Sequence, residues 1–300
     1  MTILRESNLP NLLHRGKVRD MYDLGDYLLM VATERLSAFD VVLPNGVPNK
    51  GAMLAQMSAF WFQKTAHIIP NHMVAMGYER DKLAALKIPQ QYKELPRDLA
   101  ERSAIVRKAS RIDVECVVRG YITGSAWAEY LMKGTVSGEA MPKGLQECQL
   151  FPKPIFTPTT KAEVGHDQNI SFNQVAKMAG DKIAAQLRDK SIAIYEYARD
   201  YARTKGIIIA DTKFEFGLIN GELTLIDELL TPDSSRFWDA SVYKVGASQP
   251  SYDKQIVRDW LTRSGWNKEP PPPTLPDEIV QRTSKRYMEA FERLTGQKLH

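Results

Sequence analysis

The chain has 300 residues, 43% hydrophobic and 25% charged, with a net charge of +4 from 40 Lys plus Arg and 36 Asp plus Glu. Such a composition excludes disorder as the main state, and at ~150 residues per domain the length fits about two domains. No basic run of five or more is present, which argues against a dedicated nucleic-acid binder, and two cysteines, Cys116 and Cys148, exclude a disulfide scaffold or a cysteine zinc site.

Met1 to Ser7 lacks the apolar centre of a signal peptide, and no apolar run approaches ~20 residues. A cytosolic chain that does not span a membrane is expected. Gly16 to Asp23 reads as a strand, Leu24 to Asp26 as a turn, and Tyr27 to Thr33 as a second, apolar strand. A loop rich in Ser, Asp, Asn, Pro and Gly covers 37–50. A helix is expected over 51–66, striped by Met53, Leu54, Met57, Phe60 and Trp61. The pattern from 73 to 111 is mixed. Ile112 to Val118 reads as a buried strand that empties into Arg119 to Ser125, where a helix starts. Prolines and glycines across 134–160 predict mostly loop. Ser171 and Gln174 form a capping box, and a long helix runs from Asp181 to Lys205 before Gly206. Ile207 to Gly217 is the sharpest strand signal, with Asn220-Gly221 as a hairpin turn and Leu223 to Asp227 as the return strand. Two helices close the chain, Tyr252 to Arg263 and Asp277 to Leu294, separated by Pro270 to Pro273. Strands in hairpins mixed with helices indicate an α+β fold.

The period of two along a strand puts Asp211, Lys213 and Glu215 on one face and Thr212, Phe214 and Phe216 on the other. Two carboxylates flanking an ammonium can hold a divalent cation and a phosphate; the same pattern also suits a solvent-facing strand with cross-strand ion pairs. Register matters here. A two-residue turn at Asn220-Gly221 places Asp227 opposite Phe214, on the wrong face, whereas a three-residue loop places it opposite Glu215. Arg119 followed by Gly124 and Ser125 at a helix start suits a phosphate monoester, or is an ordinary cap with a surface arginine. Asp233 to Asp239, with Ser234 and Arg236, is a polar loop able to grip an anion. Gly16-Lys17 beside Arg19 lets backbone approach a phosphate but is not a Walker A loop. Ser37 to Asp40 is a polar loop after a buried strand, a common place for ligand contacts. His166-Asp167 is either a site pair or a surface histidine and its neighbour. No His-Glu-x-x-His or Gly-x-Ser-x-Gly motif is present, against a zinc or serine hydrolase.

Taken in order, several segments resemble the SAICAR synthetase (phosphoribosylaminoimidazole-succinocarboxamide synthase) family of purine biosynthesis. They are Gly16 to Tyr22, Glu34 to Asp40, Asn49 to Gly51, Val114 to Ser125, Phe156 to Lys161 with Gly165 to Asp167, Asp211 to Gly217, and Asp227 to Asp239. The resemblance implies a two-lobed, ATP-grasp-like α+β fold with antiparallel sheets. It divides the chain into a nucleotide-covering lobe over 1–115, a catalytic lobe with metal and ribotide sites over 116–250, and a helical segment over 251–300 that packs on the lobes. The implied reaction joins 4-carboxy-5-aminoimidazole ribotide to L-aspartate with ATP and Mg2+, through an acyl phosphate. The implied partners are these small molecules, with no nucleic acid or membrane, and the chain is a monomer or small homo-oligomer. Lys17, with Gly16 and Arg19, would meet the ATP phosphates, and Glu115 and Val117 the adenine. Glu215 and Asp227 would hold the metal, with Asp211 and Lys213 in the same charged cluster and Lys213 aimed at the transferring phosphoryl. Arg119, Gly124 and Ser125 would bind the ribotide phosphate. Ser37, Asp40, Ser234 and Arg236 would touch ribotide or aspartate, with Asp211, Lys213 and Arg236 catalytic. His166 and Asp167 would lie on the aspartate side. Two other readings stay open on the residues alone: a kinase acting on a phosphorylated sugar or ribotide, and a non-catalytic nucleotide or nucleic-acid binder.

Overall fold

The computed structural model describes residues 3–161, 168–252 and 254–300. In chain order the first part carries β1 (Leu12–Arg15), β2 (Arg19–Asp23), β3 (Tyr27–Ala32), β4 (Arg35–Ala38), β5 (Val41–Gly46), α1 (Lys50–Thr65), β6 (Met73–Met76), α2 (Arg80–Ala84), α3 (Arg97–Ala100) and β7 (Ser103–Arg107). Next come β8 (Ser110–Arg111), β9 (Val114–Tyr121), α4 (Gly124–Lys133), β10 (Thr135–Val136), β11 (Glu139–Ala140), β12 (Leu150–Phe156) and β13 (Thr159–Thr160). The rest is α5 (Phe172–Ala179), α6 (Asp181–Thr204), β14 (Ile207–Ile219), β15 (Glu222–Ile226), β16 (Ser235–Asp239), α7 (Gln255–Arg263) and α8 (Asp277–Thr295). Among the described residues no helix is long and apolar enough to cross a membrane.

Two antiparallel sheets dominate this α+β fold. One has the order β1-β2-β3-β7-β6; the other runs β12-β9-β14-β15, with β13 beside β9 and both β8 and β16 beside β14. The wholly apolar β3 serves two environments. Leu29 and Val31 enter a core with Leu83, Tyr92 and Ile105, while Leu28 and Met30, on the opposite face, look into the cleft. Helix α1 lies against the first sheet and sends Met53, Met57, Trp61 and Phe62 into the main core under the second. Both halves of the chain therefore share one helix.

Several segments read as loop are ordered strands. Residues 37–50 contain most of the β4–β5 hairpin, whose turn residues Phe39 and Asp40 have φ of 50° and 64°. The stretch 134–160 contains β12 despite Pro152 and Pro154. Strand β12 stands at the sheet edge, where a missing N–H costs no ladder bond on the open side. Residues 235–239 form β16, so Arg236 projects from a strand rather than a loop.

The longest strand carries the main departure from simple alternation. Ile207 and Ile209 are buried in the main core. Period two would send Asp211 into the same core. Instead the pairing with β16 shifts from Ile209↔Phe237 to Asp211↔Arg236, one extra residue on β14. This β-bulge at Ala210 exchanges the faces. Beyond it Phe214 and Phe216 enter the core, and Asp211, Lys213 and Glu215 turn to the opposite face. The Ile209 carbonyl at the bulge accepts a 2.7 Å hydrogen bond from the Tyr195 hydroxyl of α6. Gly120 of β9 makes the room: a Cβ there would lie 1.9 Å from that hydroxyl.

The C-terminal helices close over the N-terminal part. Helix α7 packs Val257 and Leu261 against Leu36, Leu43 and Val47. Helix α8 packs along α1, and the Ser284 hydroxyl donates to the Pro48 carbonyl at 2.8 Å. Tyr195→Phe is expected to destabilise the fold by about 1–3 kcal/mol, because it strips a buried carbonyl of its donor. Urea unfolding followed by circular dichroism measures it, and an unchanged midpoint would show that the bulge does not depend on this bond.

Candidate active site

A cleft opens between the two sheets. Gly16, Lys17, Arg19, Ser37 and Asp40 line it from the N-terminal side, and Glu115, Lys161, Lys213, Glu215, Asp227, Asp233 and Lys254 from the other. Its charges alternate in sign. Lys213 Nζ lies 2.5 Å from Glu115 and 3.8 Å from Glu215. Lys161 pairs with Glu215. Arg19 Nη2 lies 2.8 Å from both oxygens of Asp227 and 3.8 Å from Glu228.

The β14–β15 hairpin has the two-residue turn: Ile219 pairs with Glu222 and Glu215 with Ile226. That is the register expected to send Asp227 to the wrong face, yet Asp227 lines the cleft with Glu215. Strand β15 ends at Ile226, and Asp227 takes φ of 70°. Once the backbone leaves the ladder, alternation no longer directs the side chain. The longer loop is therefore unnecessary for the two carboxylates to meet.

The electrostatics follow from burial and neighbours. Burial, then the nearby Asp227 charge, push the Glu215 carboxyl upward against the pull of Lys161 and Lys213. Burial would raise Asp227 too, but Arg19, with Lys161 and Lys213 beyond it, holds it well below the usual carboxylate range. Burial opposes the Lys213 ammonium, and Glu115 with Glu215 outweighs it, so Lys213 stays charged. Lys17 pairs with Asp40 at 2.7 Å, both side chains about half exposed. Such an exposed pair is worth about 0–1 kcal/mol, so a ligand can separate it at small cost.

A second cluster sits nearer the bulge on the same face of β14. Arg119 Nη1 donates to Asp211 at 2.6 Å, and Arg236 also donates to Asp211. Arg119 further donates to Ser125 Oγ and Thr157 Oγ1, each at 3.1 Å. Ser125 lies in the first turn of α4. Gly124 has φ of 58°, and a Cβ there would stand 2.5 Å from the Arg236 guanidinium. Among the described residues two guanidiniums thus share one carboxylate.

Val117 and Ser234 do not line the cleft. The Val117 carbonyl accepts from the Thr157 amide at 2.8 Å. The Ser234 carbonyl accepts from the Lys213 amide at 3.0 Å, and its hydroxyl stays within the Thr231 turn. His166 and Asp167 lie outside the described residues.

The structure adds residues that sequence reasoning left without a role. Lys161 closes the segment Phe156 to Lys161, and its pairing with Glu215 follows from β13 lying beside β9. Lys50 is fully buried and lies 2.8 Å from Asp233, which Lys254 approaches at 3.2 Å and the Tyr287 hydroxyl at 3.1 Å. His72 is buried and packs at a tilt against Phe62, with ring centroids 5.4 Å apart. Burial lowers its pKa to about 4. Its Nε2 lies 3.3 Å from the Asp227 carbonyl. A carbonyl only accepts, so this nitrogen carries the proton.

The SAICAR synthetase family model matches residues 12–273. The phosphoribosylaminoimidazole-succinocarboxamide synthase of Syntrophobacter fumaroxidans is 52% identical over 98% of this chain and 96% of its own length. The SAICAR synthase of Saccharomyces cerevisiae, solved with SAICAR, superposes with a TM-score of 0.86 at 46% identity, covering 98% of this chain and 99% of that one. A SAICAR synthetase solved with ADP superposes at 0.69 with 25% identity, covering 96% and 99%. Fold and cleft together are those of an ATP-using ligase. The chain belongs to the SAICAR synthetase family, enzymes that ligate aspartate in an ATP-dependent step of purine biosynthesis.

Gly124→Ala tests the second cluster. It combines a left-handed backbone with displacement of Arg236, and a loss of about 1–2 kcal/mol is expected. Chemical denaturation checks it; wild-type stability would mean that Arg236 relaxes freely.

Proposed function

We propose that this chain condenses 4-carboxy-5-aminoimidazole ribotide with L-aspartate, converting ATP to ADP and phosphate. The observation that carries this reading is the pair of charged clusters on one face of β14, one of them lining the cleft. Asp211 and Glu215 are four positions apart, about 13 Å at ~3.3 Å per residue. Two phosphate groups of different ligands, a ribotide monoester and an ATP γ-phosphoryl, can occupy them together with the reacting carboxylate between.

In this reading residues 1–115 cover the nucleotide, 116–250 carry the chemistry, and 251–300 brace both. Met21, Leu28 and Met30, which face the cleft, would give adenine an apolar surface beside Glu115. Lys17 and Gly16 would meet the phosphates after the Lys17–Asp40 pair opens. Arg119, Ser125 and Arg236 would hold the ribotide phosphate, and Ser37, Asp40 and Ser234 would flank the ribotide–aspartate side.

The carboxylate oxygen of the ribotide attacks the γ-phosphorus, and the bond to the β-phosphate oxygen breaks. The product is an acyl phosphate and ADP. The aspartate amine then attacks the acyl carbon, phosphate departs with the electron pair, and the amine loses a proton. Lys213, held charged by Glu115, would stabilise the phosphoryl in transit. Asp211 would keep the two guanidiniums aligned.

Glu215 and Asp227 suit Mg2+: a hard cation takes oxygen ligands and is usually bound by one or two carboxylates plus substrate phosphates. When bound, the metal supplies charge neutralisation on the polyphosphate. A cytoplasmic setting accords with the pathway and with two buried, free cysteines.

ADP release with magnesium, ATP, ribotide and L-aspartate, omitting one component at a time, tests the reaction. Full-rate release should need all four and give the succinocarboxamide. Undiminished release without aspartate would indicate a kinase. Lys213→Ala is expected to lower turnover about 10²–10³-fold with the fold intact; near-normal turnover would remove Lys213 from the mechanism. Arg119→Ala should weaken ribotide binding more than ATP binding, and equal losses by calorimetry would refute the phosphate-site assignment.

A further inference from the structure

The turn that carries Lys17 is held from behind. Strands β1 and β2 pair with Arg15 opposite Asp20, and the Gly16 amide closes on the Arg19 carbonyl at 2.8 Å. Lys17 and Val18 are therefore the two central residues of a tight hairpin loop, and both line the cleft. Three successive carbonyls of this loop are taken by the segment Thr33–Arg35. Arg35 Nη2 donates to Gly16 O at 2.9 Å and Arg35 Nε to Lys17 O at 3.3 Å. The Thr33 amide and hydroxyl donate to Val18 O at 3.0 and 2.9 Å. No acceptor among the described residues meets the amides of Lys17 or Val18.

The Arg35 side chain is 7% exposed and does not line the cleft. Its Nη2 also donates to Asp20 at 2.7 Å, and Asp20 is itself buried and bound by the Ser7 amide and hydroxyl at 2.8 and 2.7 Å. A charged, rigid fork on a fixed counter-ion is well suited to hold two backbone carbonyls at once. Successive amides with their carbonyls directed elsewhere form an anion-binding concavity.

We propose that Arg35 is a positioning residue for the nucleotide polyphosphate: by holding the Gly16 and Lys17 carbonyls, it leaves the Lys17 and Val18 amides for phosphate oxygens. This rests on the reading that Lys17 meets the ATP phosphates. Lysine at position 35 keeps the charge beside Asp20 but cannot span both carbonyls in a plane.

The test is titration calorimetry of the full chain, with magnesium present, using AMP, ADP and a non-hydrolysable ATP analogue. Wild type should bind more tightly as phosphates are added. Arg35→Lys should keep AMP affinity and lose about tenfold on the ATP analogue. Equal losses on AMP and on the analogue, or no loss on either, would overturn the proposal. If wild-type affinity does not grow with phosphate number, the phosphate role of Lys17 fails first, and the role of Arg35 with it. Should Arg35→Lys not fold, Thr33→Val removes one donor to Val18 O, and a selective loss of about threefold on the analogue is expected. Unchanged analogue affinity in that variant would overturn the proposal equally.

Discussion

The active face of this protein depends on one extra residue in β14. Upstream of Ala210, odd-numbered residues are core isoleucines; downstream, odd-numbered residues are Asp211, Lys213 and Glu215. A continuous ladder would have buried three charges under the sheet or turned Ile207 and Ile209 to the cleft face. The Tyr195 hydroxyl holds the bulge, in space left by the missing side chain of Gly120. Both lie outside the cleft lining, so the placement of its charges rests on an interaction behind it.

Beyond the bulge, the charges are arranged before any ligand arrives. Each acidic group in the cleft has a cationic neighbour within salt-bridge distance: Glu115 with Lys213, Glu215 with Lys161, Asp227 with Arg19. These pairs keep mutually repelling carboxylates close in a partly desolvated cleft. Groups fixed in this way need little reorganisation when phosphate charge enters, which is the physical basis of electrostatic preorganisation.

The fold was legible where periodicity is strong. The apolar stripe of Met53 to Trp61 marks α1 to within a residue at each end, and Ser171 with Gln174 forms both hydrogen bonds of the capping box. Asn220-Gly221 is the two-residue turn its residue types indicate. What stayed hidden is non-local or breaks a period. Ala210 has no signature of a bulge, since the extra residue is defined only against β16. Pro152 and Pro154 conceal an edge strand because proline signals are read without knowing which side is open. Asp227 escaped its register through a left-handed backbone, which strand alternation does not anticipate although aspartate adopts it more readily than most residues. Arg35 and His72 act on groups that distance in sequence separates from them, so their neighbours could not be named beforehand.

The packing of α8 on α1 has a consequence for synthesis. Lys50 begins α1, and its counter-ion Asp233 is reached by Tyr287 of α8 and by Lys254. Asn45 exchanges two hydrogen bonds with Leu275, donating to its carbonyl at 3.2 Å and accepting from its amide at 2.6 Å. A nascent chain emerging N-terminus first exposes α1 long before residues 275–295 leave the ribosome. The apolar surface of β4, β5 and α1 therefore waits, uncovered, through most of translation, and that interval is when misassembly with other chains competes most strongly. The N-terminal surface of this enzyme is covered only when residues 275–295 arrive.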